Sequence, residues 1–225
     1  MESGSIKYDP DLFEIEGTVL IKYKGSGAYV KIPEGVTEIG RKAFWHLYHV
    51  EEVLIPETVI KIDDLAFVHC HKLQSITIPK SVTYMGESLF YRCCYLKRVN
   101  ILGGVTKIRR ETFECCHSLT SVTLPQSLCE IESTAFMLCS DLKNIILPSG
   151  LEIIGERAFM RSGLTMVFIP SSVIKIESEA FSFCDSLAHI ACEAKSQPEG
   201  WDENWIANPE WRKKTKAFWG RKRKS

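Results

Sequence analysis

The stretch LTSVTLPQSLCEIESTAFMLCSDLKNIILP, residues 119–148, contains the pattern that decides the fold. An alternating apolar segment ends at Pro125, and a second such segment ends 23 residues later at Pro148. Alternation of apolar and polar residues, with many β-branched side chains, predicts short strands. Proline has no N–H for a ladder of hydrogen bonds, so it is expected where such a strand stops.

The same unit recurs seven times along the chain. The anchor position is held by six prolines and one leucine: Pro33, Pro56, Pro79, Leu102, Pro125, Pro148 and Pro170. Eleven residues after each anchor comes a phenylalanine: Phe44, Phe67, Phe90, Phe113, Phe136, Phe159 and Phe181. The last anchor spacing is 22 instead of 23, because one residue is missing between Phe159 and Leu164. A repeat of this length is typical of a solenoid.

We therefore predict a solenoid of right-handed stacked turns that is mainly β with little α. One strand per turn cannot bury its apolar face alone, so equivalent strands pair in parallel at about 4.8 Å. A second apolar pair in each unit, such as Val82 and Met85, is expected to form the opposite wall. The alanine–phenylalanine segment between the walls is expected to form a short helical or 3-10 turn that places its phenylalanine in the core.

The chain divides into three predicted segments. Residues 1–28 are predicted to form an N-terminal capping hairpin, 29–192 a solenoid of about seven 23-residue units, and 193–225 a C-terminal cap with a basic tail. Caps are expected because a solenoid exposes an apolar cross-section at each end. Five large aromatic residues of the last segment either pack on the final turn or form a binding box: Trp201, Trp205, Trp211, Phe218 and Trp219.

The units resemble a known family, the bacterial BspA-like leucine-rich repeats of the Treponema pallidum type. The resemblance rests on SVTYMGESLFYRCCYLKRV (81–99), GVTKIRRETFECCHSLTSVTLP (104–125) and SVIKIESEAFSFCDSLAHI (172–190), and it covers about Tyr29 to Cys192. The following CEAKSQPEGWDENW (192–205) and the late AFWG (217–220) are similar to a C-terminal closing segment common in that family, which extends the resemblance to about Gly220. The resemblance implies a leucine-rich-repeat solenoid that binds other proteins or glycans, often on bacterial cell surfaces, and it implies no catalytic residues.

The net charge of zero hides two unlike parts of the chain. The segment from Trp211 to Ser225 carries eight basic residues and no acidic one, whereas the other 210 residues carry 20 basic and 28 acidic residues. The body therefore has a charge of −8 and the tail a charge of +8. Basic residues interleaved with Phe218 and Trp219 are typical of contacts with nucleic acid or anionic membranes. The candidate polyanion-binding residues are Arg212, Lys213, Lys214, Lys216, Arg221, Lys222, Arg223 and Lys224.

Catalytic and metal chemistry are not indicated by the sequence. The chain has no GxSxG, HExxH or Walker pattern, so we predict that it is not an enzyme and takes no small-molecule substrate. Five cysteines occupy one repeat phase, which places them in a line: Cys70, Cys93, Cys116, Cys139 and Cys184. A zinc site needs four converging ligands, so we interpret these thiols as small buried side chains and expect neither metal nor cofactor.

The cysteine content bears on the compartment. Nine cysteines, with Cys93–Cys94 and Cys115–Cys116 as adjacent pairs, are a poor disulfide framework and favour a reducing compartment. The start MESGSIKYDP has neither a basic nor an apolar region of a signal peptide, and no apolar run is long enough for a membrane span. We therefore expect a cytoplasmic monomer, with an extracellular or cell-surface location as the alternative if a signal peptide precedes this sequence.

The outward side chains of the strands are the remaining candidate site. Alternation along each strand places two rows of side chains on the concave strand face. Most are small and polar, but Ile146, Met166 and Phe168 are apolar neighbours where the repeat requires no apolar residue. Such a cluster is typical of a protein-binding surface, although the C-terminal segment could also fold back and cover it. The predicted partner-binding residues are these three together with Asn144, Arg98 and Asn100.

The function predicted from these observations is a non-enzymatic binding scaffold, with a protein as the expected partner. A module that docks on nucleic acid or anionic membrane through its basic end is the alternative. A glycan-binding or cell-surface adhesion module is a third possibility, weakened because the strand face holds few aromatic residues.

Overall fold

Two rows of short strands form the walls of the solenoid. The computed structural model describes residues 7–206 and 215–222, and their strands are numbered here in chain order. The row that carries the predicted site consists of β3 (Tyr29–Lys31), β5 (Glu52–Leu54), β7 (Ser75–Ile78), β9 (Arg98–Ile101), β11 (Ser121–Thr123), β14 (Met166–Ile169), β16 (His189–Cys192) and β17 (Lys216–Phe218). The opposite row consists of β4 (Glu38–Ile39), β6 (Lys61–Ile62), β8 (Tyr84–Met85), β10 (Lys107–Ile108), β12 (Glu130–Ile131), β13 (Ile153–Ile154) and β15 (Lys175–Ile176).

Both rows are parallel, and their register follows the repeat. In the first row Ser75 pairs with Arg98 and Thr77 with Asn100, so partners are 23 residues apart. The predicted solenoid of parallel strands is therefore confirmed. An antiparallel hairpin precedes it, with β1 (Phe13–Glu16) paired to β2 (Val19–Tyr23) and β2 paired in parallel to β4.

A column of stacked phenylalanine rings fills the space between the walls. Consecutive rings of the seven phenylalanines lie 4.9–5.5 Å apart between centroids, and all seven side chains are fully buried. Tyr23 of the hairpin stacks on Phe44 at 5.7 Å, and Trp205 closes the other end by meeting Phe181 edge-on at 6.0 Å. Both ends of the apolar column are thus covered by aromatic rings from outside the repeats.

The segments that carry the phenylalanines are hydrogen-bonded turns instead of the expected short helices. Each contains two residues with positive φ, four apart, such as Leu65 and His69, which interrupt helical geometry. Backbone N–H groups of each turn donate to carbonyl groups of the next unit. Phe67 N–H donates to Leu89 O at 3.0 Å, and His69 N–H donates to Tyr91 O at 3.0 Å. The turns therefore form a third backbone ladder, and no helix occurs among residues 7–206 and 215–222.

The first row is divided into two sheets. Strands β3 to β11 form a five-stranded sheet, and β14, β16 and β17 form a separate three-stranded sheet. Residues 143–147 lie between them without a paired strand, although their sequence predicts one. The division lies beside the sixth unit, which has one residue fewer than the others. The opposite row also divides, between β8 and β10, where the spacing is a full 23 residues. Ile145 and Leu147 of this segment remain buried, so its inward apolar side chains still fill the core.

Candidate functional site

We call the outward side chains of β3, β5, β7, β9, β11, residues 143–147, β14, β16 and β17 the strand face. Pairing of Met166 with His189 and of His189 with Lys216 aligns one row of this face along the C-terminal sheet. The second row contains Phe168, Ala191 and Phe218 in the same way. The described part of the C-terminal segment thus adds Lys216 and Phe218 to the two rows of the strand face.

The predicted apolar cluster is open to solvent in its centre. Ile146 is 68% exposed and Met166 is 58% exposed, whereas Phe168 is half-buried. At the corresponding positions of the five-stranded sheet, β7, β9 and β11 hold the polar residues Ser75, Thr77, Arg98, Asn100, Ser121 and Thr123, whereas β3 and β5 expose Tyr29 and Leu54. The described part of the C-terminal segment pairs beside β16 and leaves Ile146 and Met166 exposed.

The predicted polar residues lie at two distances from this cluster. Asn144 is exposed and lies in the same unpaired segment as Ile146. Arg98 and Asn100 are exposed on β9, with β11 between them and residues 143–147. Asn100 is engaged on its own sheet, since its Oδ1 accepts a hydrogen bond from Thr123 Oγ1 at 3.2 Å. The six predicted residues therefore share one face, but β11 separates Arg98 and Asn100 from the apolar cluster.

The basic residues of the tail are only partly within the described chain. Lys216 is exposed on the strand face, Lys222 is exposed, and the Arg221 guanidinium lies 5.7 Å from the Phe218 ring centroid. Arg212, Lys213, Lys214, Arg223 and Lys224 lie outside the described residues. The tail aromatics are divided likewise: Trp201 and Trp205 are buried beneath the last turn, and Trp211 lies outside the described residues.

The row of cysteines belongs to the interior. Each thiol donates to the carbonyl of a phenylalanine in the preceding unit, as Cys116 Sγ does to Phe90 O at 3.2 Å. Burial raises the pKa of the Cys70 thiol to about 12 and also raises the pKa of Cys93, Cys116 and Cys139. Such thiols are poor nucleophiles and poor metal ligands at neutral pH. Within the described parts of the chain, no group of three or more His, Cys, Asp or Glu residues is arranged to hold a metal ion.

A cluster of aromatic and histidine rings covers the turns of the first three units, and the sequence reasoning did not identify it. Trp45 and Tyr48 are each 48% exposed, and Tyr48 meets the His71 ring at 4.9 Å. His69 lies between His46 and His71, with ring centroids 4.4 Å and 5.5 Å away. The signal was available in the sequence, since the turn position of His46 and His69 holds Arg92, Cys115, Leu138, Arg161 and Phe183 in the later units.

A polar cavity of about 450 Å³ opens on the rim of the strand face and was also missed. Its wall is formed by residues of units five to seven: Ser140, Lys143, Arg161, Ser162, Gly163, Phe183, Asp185 and Ser186. The signal for it in the sequence is the 22-residue spacing, because the missing residue belongs to the turn that contributes Ser162 and Gly163.

No described helix is long and apolar enough to cross a bilayer.

Comparison with known families gives a match over most of the chain. The model of the BspA type leucine rich repeat region matches residues 22–140 and 106–198, with six copies of the repeat. A comparison with curated protein sequences gives no significant match.

Several solved structures are similar to the chain. A leucine-rich repeat protein from Eubacterium ventriosum aligns with a TM-score of 0.70 and 26% identity over 86% of this chain and 50% of that one. A leucine-rich repeat protein from Bacteroides ovatus aligns with a TM-score of 0.63 and 27% identity over 77% of this chain and 51% of that one. The pneumococcal vaccine antigen PcpA, at 19% identity over 73% of this chain and 62% of that one, shares the fold with a TM-score of 0.50. The chain spans about half the length of the first two proteins.

Proposed function

The chain belongs to the family of BspA type leucine-rich repeats, and on that premise we propose that it is a non-enzymatic scaffold that binds a protein partner through its strand face. Repeat solenoids of this kind present an extended surface whose side chains vary independently of the core. The architecture by itself does not identify a ligand, so the proposal depends on the side chains of that surface.

The observation that carries the proposal is the exposure of Ile146 and Met166 on a strand face where β7, β9 and β11 present only polar outward side chains. Exposed apolar clusters with a polar surround are typical of protein-binding sites, because their burial releases water and polar neighbours fix the register. Phe168 follows Met166 by two residues on β14, at the repeat position equivalent to Ile146, and supplies a large aromatic side chain of the kind enriched in interaction hot spots.

The experiment that tests this proposal compares two equally exposed apolar residues on opposite walls. Met166 is 58% exposed on the strand face, and Ile174 is 61% exposed next to β15 on the opposite row. A partner captured by the wild-type chain should bind Met166→Ser about tenfold more weakly and Ile174→Ser with unchanged affinity. Equal binding by all three proteins would show that the strand face is not the site.

The basic tail gives a distinct outcome in the same assay. If a chain in which Arg221, Lys222, Arg223 and Lys224 are replaced by glutamine loses every partner that Met166→Ser retains, the contact depends on the tail charge and the nucleic-acid or membrane alternative is favoured. Such a contact should also weaken steeply with added salt, because counterion release dominates binding to polyanions. Loss on Met166→Ser with salt-insensitive binding supports the strand face.

A further inference from the structure

The cavity on the rim of the strand face results from the missing residue in the sixth unit. In that unit the turn is drawn toward the fifth, where Gly163 N–H donates to Cys139 O at 3.0 Å. A Cβ atom at position 163 would lie 1.9 Å from Ser140 O, so only glycine allows this approach. The shortened turn leaves a gap between Ser140 of unit five and Ser186 of unit seven, and this gap is the cavity.

The charges around the cavity are predominantly positive. Lys143 and Arg161 line it together with one carboxylate, Asp185, and the remaining polar lining is serine hydroxyl and glycine backbone. The Lys143 ammonium donates to Ser140 O at 2.9 Å, and the Arg161 guanidinium lies over the Phe183 ring at 5.6 Å. Among the described residues, neither cation forms an ion pair within 4.0 Å. The cavity therefore complements a carboxylate better than a cation or a neutral group.

The cavity is directly next to the exposed apolar cluster. Lys143 lies three residues before Ile146, and Gly163 lies three residues before Met166. Three residues of extended chain span about 10 Å, so one short segment of a partner can reach both features. A backbone hydrogen bond joins units five and six at this point, since the Thr165 N–H donates to Lys143 O at 3.0 Å.

We propose that the strand face binds an extended polypeptide segment whose acidic side chain enters the cavity while an apolar side chain about 10 Å away packs on Ile146, Met166 and Phe168. The proposal rests on the strand face being the protein-binding surface and adds the chemistry of its partner. The Lys143 and Arg161 side chains pair with the carboxylate, and the exposed Ser186 hydroxyl donates a hydrogen bond to it.

Three capped tetrapeptides provide the test, each titrated into the full chain with backbone amide NMR as the readout. The first has aspartate in position one and leucine in position four, the second replaces aspartate with asparagine, and the third replaces leucine with alanine. The first should shift the amide signals of both Gly163 and Met166. It should bind about fivefold more tightly than the asparagine peptide, as expected for a partly exposed ion pair.

Variants of the chain separate the cavity from general electrostatics. Lys143→Gln and Arg161→Gln should each remove the preference for aspartate over asparagine. The matched control is Lys97→Gln, because Lys97 is exposed and occupies the position of Lys143 in the third unit, where no residue is missing. The control should keep the full preference.

The outcomes distinguish this proposal from the function on which it rests. Equal binding of the aspartate and asparagine peptides, with shifts at Met166 retained, would overturn the acidic preference and leave the strand face as a binding surface. Equal binding of the leucine and alanine peptides, with shifts confined to Gly163, would overturn the role of the apolar cluster. Absence of shifts at both positions for all three peptides would overturn the whole proposal.

Discussion

The interior and the strand face of this solenoid obey opposite rules. In the interior each unit repeats its neighbour, and the seven phenylalanine rings stack at nearly equal distances. On the strand face the same positions change from Ser75 and Thr77 to Met166 and Phe168 within four units. Stacking requires identical shapes inside but imposes little on side chains that point outward. Variation on the strand face can therefore serve recognition without cost to the fold.

Truncation of one ring in the phenylalanine column should have the largest effect. Phe113 is fully buried and stacks on Phe90 at 5.5 Å and on Phe136 at 5.1 Å. Phe113→Ala should lower the free energy of unfolding by about 3–5 kcal/mol, since it removes a large buried side chain and leaves a cavity. Urea denaturation measures the loss, and a change below about 1 kcal/mol would show that the column is not a continuous core.

A smaller loss of stability is expected from a substitution in the shortened turn of the sixth unit. Gly163→Ala should cost about 1–3 kcal/mol, because its new Cβ would lie 1.9 Å from Ser140 O. The matched control is Gly104→Ala, where no atom lies within 4 Å of the added Cβ. Similar denaturation midpoints for the two variants would contradict the close approach of units five and six.

The histidine rings on the turns should give a modest dependence of stability on pH. Burial, followed by the nearby His46, His71 and Arg92, lowers the pKa of His69. The unfolded chain therefore binds a proton at this residue more readily than the folded chain does. The contribution of His69 to the free energy of unfolding is complete above its unfolded pKa of about 6.5, and it is lost as the pH falls below that value. Between about pH 7.5 and about pH 5.5, the wild-type urea midpoint should fall more than that of His69→Gln. An equal or smaller fall in the wild type would contradict this sign.

The smallest effect on stability is expected on the strand face itself. Met166→Ser should change the free energy of unfolding by less than about 0.5 kcal/mol, because surface side chains outside the core contribute little. A loss comparable with that of Phe113→Ala would place Met166 in the core and remove the contrast between the two regions. Thermal melting of both variants in parallel makes the comparison.

Much of the fold could be predicted because a repeat converts spacing in sequence into alignment in space. The anchors and phenylalanines specify the ladders, and Ser75 pairs with Arg98 as the 23-residue period requires. The positive φ of residues such as Leu65 and Phe183 could not be read from composition, since neither residue type favours that region. The turns were therefore expected to be helical.

The candidate site was predicted less completely than the fold. The apolar identity of Ile146, Met166 and Phe168 is visible in the sequence, but the exposure of Ile146 and Met166 depends on where the chain end pairs. The missing residue near Gly163 is visible as a spacing of 22, but the cavity depends on how units five and seven meet around it.

The sequence by itself determined the repeat, the stacked core and the positions that point outward, because these follow from periodicity and from the two-residue alternation of a strand. Only the tertiary structure decided which outward residues stay exposed, where the sheet divides beside residues 143–147, and that Lys143 and Arg161 share one cavity. These features arise between consecutive repeat units, because they depend on how neighbouring turns are displaced relative to one another. A spacing of 22 in place of 23 shows that a residue is missing from one turn, but it does not specify that displacement.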